Sequence, residues 1–233
     1  MNKHTLADAI WSAGYTGAGI LAGKSADSDS AIAAFFICTP EGRDSQRRFV
    51  EDGGGVVIQP IEGVSGVQQL YQPVLTFENK ILIGNGSHIE SIFTTLSDSQ
   101  SFGRAVKEQM YLSNDDSLAP RLTALIDMGE EDFDLDLRIT KAIEPTGGIM
   151  RFSYKYAQIP AGTGYLMSMY RGSAQGYSEF EGEPIPVELG ASIFDIVADI
   201  WENLPTHERM SLWVRSTNMK NHRSISRIIN RNR

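Results

Sequence analysis

Phe133-Asp134-Leu135-Asp136-Leu137-Arg138-Ile139-Thr140-Lys141 sets Phe133, Leu135, Leu137 and Ile139 on one side of an extended chain and Asp134, Asp136 and Arg138 on the other. That period of two belongs to a strand with one face on a core and the other meeting water or helix ends. Residues 121–128 before it, and 149–157 and 165–170 after it, read as further strands. An earlier batch covers 19–23, 32–38, 48–51, 56–59 and 80–84, with Gly53-Gly54-Gly55 as the turn between two of them. Ser87-His88-Ile89-Glu90 has capping-box spacing, and Ile89, Ile92, Phe93 and Leu96 follow on one helical face. A second helix is expected over 101–109 and a third over 192–204, the latter turning Ile193, Ile196, Val197, Ile200 and Trp201 inward; 209–215 alternates once more. Strands in two batches, with helices between and after them, predict an α+β layered fold of mainly antiparallel sheets. No linker divides the chain, so a single domain over 1–218 is expected, with 219–233 as a basic tail outside the fold.

The stretch 161–184, AGTGYLMSMYRGSAQGYSEFEGEP, gathers glycines, phenols and carboxylates around one strand-like run. Gly172 and Gly176 suit a backbone that bends close to a ligand, and Phe180-Glu181-Gly182-Glu183-Pro184 sets two acids on an abrupt turn. The alternative is a hairpin loop with solvated charges.

Composition sets limits. Twenty-one Lys and Arg against 29 Asp and Glu give a net charge of -8, which disfavours nucleic acid as a partner because neutralising phosphates needs a basic surface. The cationic block from Lys220 to Arg233 reads as a solvated tail. The single cysteine, Cys38, ends an apolar run and reads as a small buried hydrophobe in a reducing compartment. The first residues show no basic-then-apolar leader, and no apolar run approaches the roughly 20 residues that cross a bilayer, so no membrane partner is expected and the cytoplasm is the expected location. His4, His88, His207 and His222 lack metal-ligand spacing with each other or with Cys38. Ala22-Gly23-Lys24-Ser25 ends like a phosphate loop, but the upstream glycine spacing is wrong and no helix pattern follows.

Six short runs recur in order: Tyr15-Thr16-Gly17-Ala18-Gly19-Ile20, Ala34-Phe35-Phe36-Ile37, Arg47-Arg48-Phe49-Val50-Glu51-Asp52-Gly53, Gly84-Asn85-Gly86, Pro120-Arg121, and Phe180-Glu181-Gly182-Glu183-Pro184. Together they resemble the archaeal-type IMP cyclohydrolase family and its bacterial relatives, over nearly the whole chain. The resemblance implies a four-layer α-β-β-α sandwich similar to that of N-terminal-nucleophile hydrolases. It brings no such nucleophile, since Met1-Asn2-Lys3 offers none.

The implied reaction is of the cyclic amidine hydrolase class. The carboxamide nitrogen of a formylaminoimidazole-carboxamide ribonucleotide attacks the formyl carbon of the same molecule, and water leaves to give IMP, without cofactor or metal. Having both groups on one molecule removes much of the entropic cost. The protein must anchor the phosphate, stabilise an oxyanion and handle protons. Arg47, with Arg43 as a looser match, falls where the family has an arginine-bearing loop and suits the phosphate; a solvent-facing basic loop is the alternative. Asn85 and Gly86 lie at a strand end before a helix, placed to meet a carbonyl or oxyanion, or else form a plain turn. Arg121 matches the proline-arginine pair and would hold substrate or a buried acid. Tyr170 matches a family tyrosine able to donate to developing charge, and Glu181 and Glu183 match the family's acids, which would orient a base or an arginine.

Several family positions are replaced. Ala18 stands for an arginine, Thr39-Pro40 for an arginine-serine pair, Leu112 for a glutamate, Tyr165 and Ser168 for histidines, and Ser87-His88 for aspartate and glutamine. Each lost cation or acid would cost about 2–4 kcal/mol of transition-state stabilisation. Two readings follow: an IMP cyclohydrolase with a rearranged site, and a catalytically degenerate paralogue that binds a purine ribonucleotide without turnover. A different amidohydrolase or cyclohydrolase substrate is a third. Homo-oligomers are in keeping with folds of this kind.

Overall fold

A computed structural model describes residues 3–14, 17–39, 46–62, 70–109, 118–143, 148–173 and 176–231. The order is α1 (Leu6–Ala13), β1 (Ala18–Lys24), β2 (Ser30–Cys38), β3 (Arg47–Asp52), β4 (Gly55–Pro60), β5 (Val74–Phe77), β6 (Lys80–Gly84), α2 (His88–Ser97) and α3 (Phe102–Lys107). It continues with β7 (Arg121–Met128), β8 (Phe133–Ala142), β9 (Ile149–Tyr156), β10 (Thr163–Ser168), β11 (Tyr170–Ser173), β12 (Gly176–Glu179), β13 (Ile185–Glu188), α4 (Ile193–Asn203), β14 (Arg209–Asn218) and β15 (Ser224–Asn230).

The strands form a six-stranded sheet ordered β13-β10-β1-β2-β14-β15, a seven-stranded sheet ordered β3 to β9, and a two-stranded ribbon of β11 and β12. The named strand pairs run antiparallel, as the alternation around Phe133 predicts. Successive side chains then serve different layers. Ile20 and Ala22 join Ile83, Ala124 and Ile126 in a core between the sheets. Leu21, between them in sequence, turns out to meet Ile10 of α1 and Ile196 and Ile200 of α4. Leu82 and Leu125 likewise turn away from the inter-sheet core, toward Ile89 and Ile92 of α2 and Val106 of α3. The layers therefore run helix, sheet, sheet, helix. Phe35 and Phe49 stack across the middle at 5.6 Å between centroids, worth about 0.5–1.5 kcal/mol beyond their burial.

Several expectations need correction. Ser87 precedes α2 in right-handed helical conformation and its hydroxyl makes no cap bond; the first turn is entered instead through backbone bonds from Ile89 N to Gly86 O and Glu90 N to Ser87 O. The run read as one strand over 165–170 is two. Met169 breaks it, its N–H bonding Ala18 O and its carbonyl accepting from Phe180 N, so Tyr170 opens the ribbon. Gly172 pairs with Tyr177 and Gly176 with Ser173 in that ribbon, and the positive φ falls at Gly182, at 84°. The basic segment after 219 is not a tail outside the fold, because β15 is the last strand of the six-stranded sheet and packs the partly buried Ile228 against the inter-sheet core. Gly53 and Gly54 do form the tight β3–β4 turn, both with positive φ as a two-residue hairpin of that hand requires. Helix α1 and strands β5, β12 and β13 had no counterpart in the sequence reading.

Candidate functional site

Strand register carries the candidate residues to one end of the sandwich. In the seven-stranded sheet Arg47 lies opposite Pro60, Gly84 N bonds Pro73 O, Gly84 is opposite Thr123, and Arg121 is opposite Thr140. Arg47, Asn85, Arg121 and Lys141 thus share an edge. In the other sheet Ala18 is opposite Ile37 and Gly19 opposite Ser168, with Tyr170 just beyond. The Lys141 ammonium, bonded to Phe180 O, ties the two ends together, since Phe180 N bonds Met169 O at 2.9 Å. Four strand steps, roughly 19 Å, separate β3 from β7, so Arg47 and Arg121 span a ligand only through their long side chains. Arg43, Tyr15, Thr16, Pro40 and Leu112 lie outside the described residues.

The same alternation divides these groups between two faces. Arg47 has the parity of Phe49, and Lys141 that of Leu137 and Ile139, all in the inter-sheet core. Arg121 has the parity of Leu125, on the helix side. Its charge is felt by His88 on α2, whereas that of Arg47 is felt by the Tyr71 phenol beside the inter-sheet core. Burial raises that phenol well above its ordinary range, and Arg47 opposes the rise.

Around Arg121 the groups are already occupied. The Asn85 amide donates to Pro120 O at 2.9 Å and accepts from Leu122 N at 2.7 Å, so both its ends hold the backbone flanking Arg121. Gly86 accepts Ile89 N, and a Cβ there would sit 3.1 Å from His88 Nδ1. His88 Nε2 lies 3.2 Å from Leu122 O and 3.1 Å from Thr123 Oγ1; a carbonyl only accepts, so Nε2 carries the hydrogen. Burial first, and then the Arg121 charge, push this imidazole down to about 4, and it is neutral at pH 7.

The acidic turn forms the second neighbourhood. The Tyr170 ring packs on Gly17, reaching 3.0 Å from where a Cβ would lie, and Tyr170 pairs with Glu179 across the ribbon. Glu181 and Glu183 are exposed. Tyr154 Oη donates to Gly182 O at 2.8 Å, and Tyr156 stacks on Tyr165 at 3.7 Å. Burial, with the Glu183 charge, raises the Tyr154 and Tyr156 phenols, which remain protonated donors at neutral pH. A pocket of about 360 Å³ opens here between Ile139, Lys141, Met150, Phe152, Glu179 and Glu181.

Lys141, Glu179, Tyr154 and Tyr156 were not among the candidate site residues of the sequence reading. Lys141 had a signal, since it continues the apolar positions of the opening motif. Ala18 is buried with its N–H on Met169 Sδ at 3.3 Å, Ser168 Oγ bonds Tyr170 O at 2.8 Å, and Thr39 N bonds Glu208 O at 2.8 Å. Among the described residues no helix is long and apolar enough to cross a membrane, and no three His, Cys, Asp or Glu side chains are grouped to hold a metal.

A search of curated proteins gives no match. The family model described as IMP cyclohydrolase-like protein matches residues 15–222.

Proposed function

The chain belongs to the IMP cyclohydrolase-like protein family, and from that premise we propose that it closes the second ring of a purine ribonucleotide in purine biosynthesis, as a cytoplasmic enzyme. The carboxamide nitrogen bonds to the formyl carbon. The formyl oxygen takes one proton from that nitrogen and one from the formamide nitrogen, then leaves as water while the carbon–nitrogen double bond forms. Arg47 clamps the 5′-phosphate, and Tyr170 donates to the oxygen as it gains charge. Glu181 and Glu183 carry proton traffic at the mouth. Arg121 meets the substrate from the helix side, and Asn85 acts by fixing the backbone on both sides of it. The likeness to N-terminal-nucleophile hydrolases is part of this proposal and is one of architecture alone.

The observation that carries the reading is the shared end of the sandwich reached by Arg47, Asn85, Arg121, Tyr170 and the acidic turn. Purified protein mixed with the formylated ribonucleotide should raise absorbance as IMP forms. A rate equal to the buffer blank removes the enzymatic reading.

A second reading, a paralogue that binds a purine ribonucleotide without turnover, is favoured by the packing of Ala18 and Ser168 into the fold and by the occupied Asn85 amide. Calorimetry with IMP should then show binding by a protein that has no turnover; no heat at millimolar IMP ends this reading.

A further inference from the structure

Lys141 breaks the pattern of its own strand face. Leu135, Leu137 and Ile139 at the same spacing form the core between the sheets, and Lys141 follows them while only 7% exposed. An ammonium there carries a large desolvation penalty that only hydrogen-bonded partners offset. It has one, the Phe180 carbonyl, and beside it an ion-pair partner, the Glu179 carboxylate at 3.4 Å. An ammonium has three hydrogens, so donors remain for a group in the pocket that Lys141 lines. The pocket's volume, about 360 Å³, is that of a small-molecule site, and Ile139, Ile143, Met150 and Phe152 give it apolar walls suited to a flat ring.

We infer that this pocket takes the amide edge of a planar heterocycle, a ring carboxamide or a cyclic lactam, with Lys141 donating to the oxygen and Glu179 accepting from the adjacent N–H. The side-by-side donor and acceptor select that edge. A carboxylate ligand would face Glu179 and Glu181. Held in the orientation of the lactam, a ring with an amino group in place of the oxygen and a bare nitrogen in place of the N–H would present its donor to the ammonium. The inference deepens the function proposed above and takes its ligand class from it, because the open carboxamide and the closed product both set an oxygen beside an N–H. Lys141 becomes a specificity-determining residue and Glu179 its complement.

The test uses the full chain and two pairs of probes. Hypoxanthine and unsubstituted purine, as free bases, are titrated while the Lys141 side-chain signals are followed by NMR. IMP and the unsubstituted purine ribonucleoside monophosphate are compared by calorimetry. Hypoxanthine should move the Lys141 signals and purine should not, and IMP should bind on the order of tenfold more tightly than the unsubstituted nucleotide. Lys141→Met should abolish that preference while leaving the weaker affinity in place. Glu179→Gln, which keeps the shape and adds a donor, should reduce the preference even where Lys141→Met does not fold. Nucleotide binding with no preference for IMP, or a preference untouched by both variants, overturns the inference and leaves the proposed function standing. Hypoxanthine binding at Lys141 with neither turnover nor nucleotide binding does the reverse. Silence from all four probes removes both.

Discussion

Asn230 pairs with the backbone of Phe49 as a neighbouring strand would. Its side-chain amide donates to Phe49 O at 3.0 Å and its Oδ1 accepts from Phe49 N at 2.9 Å, while Ser211 Oγ donates to that Asn230 Oδ1 at 2.7 Å. One side chain thereby joins the last strand of one sheet to the edge strand of the other. Glu51 and Arg215, at 3.3 Å, repeat the link further along. Asn230→Ala would leave both polar groups of the Phe49 peptide without this partner, costing about 2–4 kcal/mol. Thermal or denaturant unfolding measures the loss, and an unchanged midpoint contradicts the role.

His88 makes stability depend on pH. Its imidazole titrates at about 4 when folded and near 6.5 when unfolded, so between those values the unfolded chain binds more protons. The stabilisation is present in full above pH 6.5 and is lost as pH falls toward 4, up to about 3 kcal/mol in all. Denaturant titrations at pH 7, 5.5 and 4.5 should show a steeper decline for the native protein than for His88→Gln. Parallel curves would remove His88 as the cause.

Asn85 separates positioning from contact. Asn85→Ala would free the backbone around Arg121, lowering kcat/KM by about 10- to 100-fold with a stability loss of about 1–3 kcal/mol. Asn85→Asp keeps the acceptor for Leu122 N but loses the donor to Pro120 O, and should fall between the two. Steady-state kinetics on the three proteins gives the order.

Arg47 is assigned to the phosphate, so its loss should matter only when a phosphate is there. Arg47→Ala should weaken IMP by about 10- to 100-fold and leave inosine, which lacks the phosphate, unaffected. Equal losses for the two ligands would place Arg47 elsewhere.

The strands were legible wherever burial differs between faces. Phe133 to Ile139 alternates because one side meets the other sheet, and 121–128 reads as a strand to its ends. Misreadings came where long-range contacts overrule local pattern. Met169 looks like mid-strand in sequence, but bonds to Ala18 and Phe180 divide the strand there. Ser87 has capping spacing, yet its backbone is held in helical conformation and its hydroxyl makes no cap. In β15, Ile225, Ile228 and Ile229 are diluted by charge, and the pairing with β14 that orders them lies outside any local window. Helix α1 is short and leaves Trp11 in solvent, which blurs its apolar stripe, although Thr5 caps it by accepting Asp8 N at 3.0 Å. For the site, residue types pointed to the acidic turn and the arginines. Which face each one takes depends on strand register, and so Arg121 and Arg47 separated while Lys141 entered.

The centre of the six-stranded sheet imposes a delay on biogenesis. Its most apolar strands, β1 and β2, emerge early from the ribosome, but their outer neighbours are β10 and β14, with Leu212 set opposite Phe36. At about 5–20 residues per second, on the order of ten seconds or more of synthesis passes before the second partner exists. For that interval the nascent hairpin exposes two sticky borders, so recovery of native protein in cells should fall with slower translation and rise with holdase chaperones.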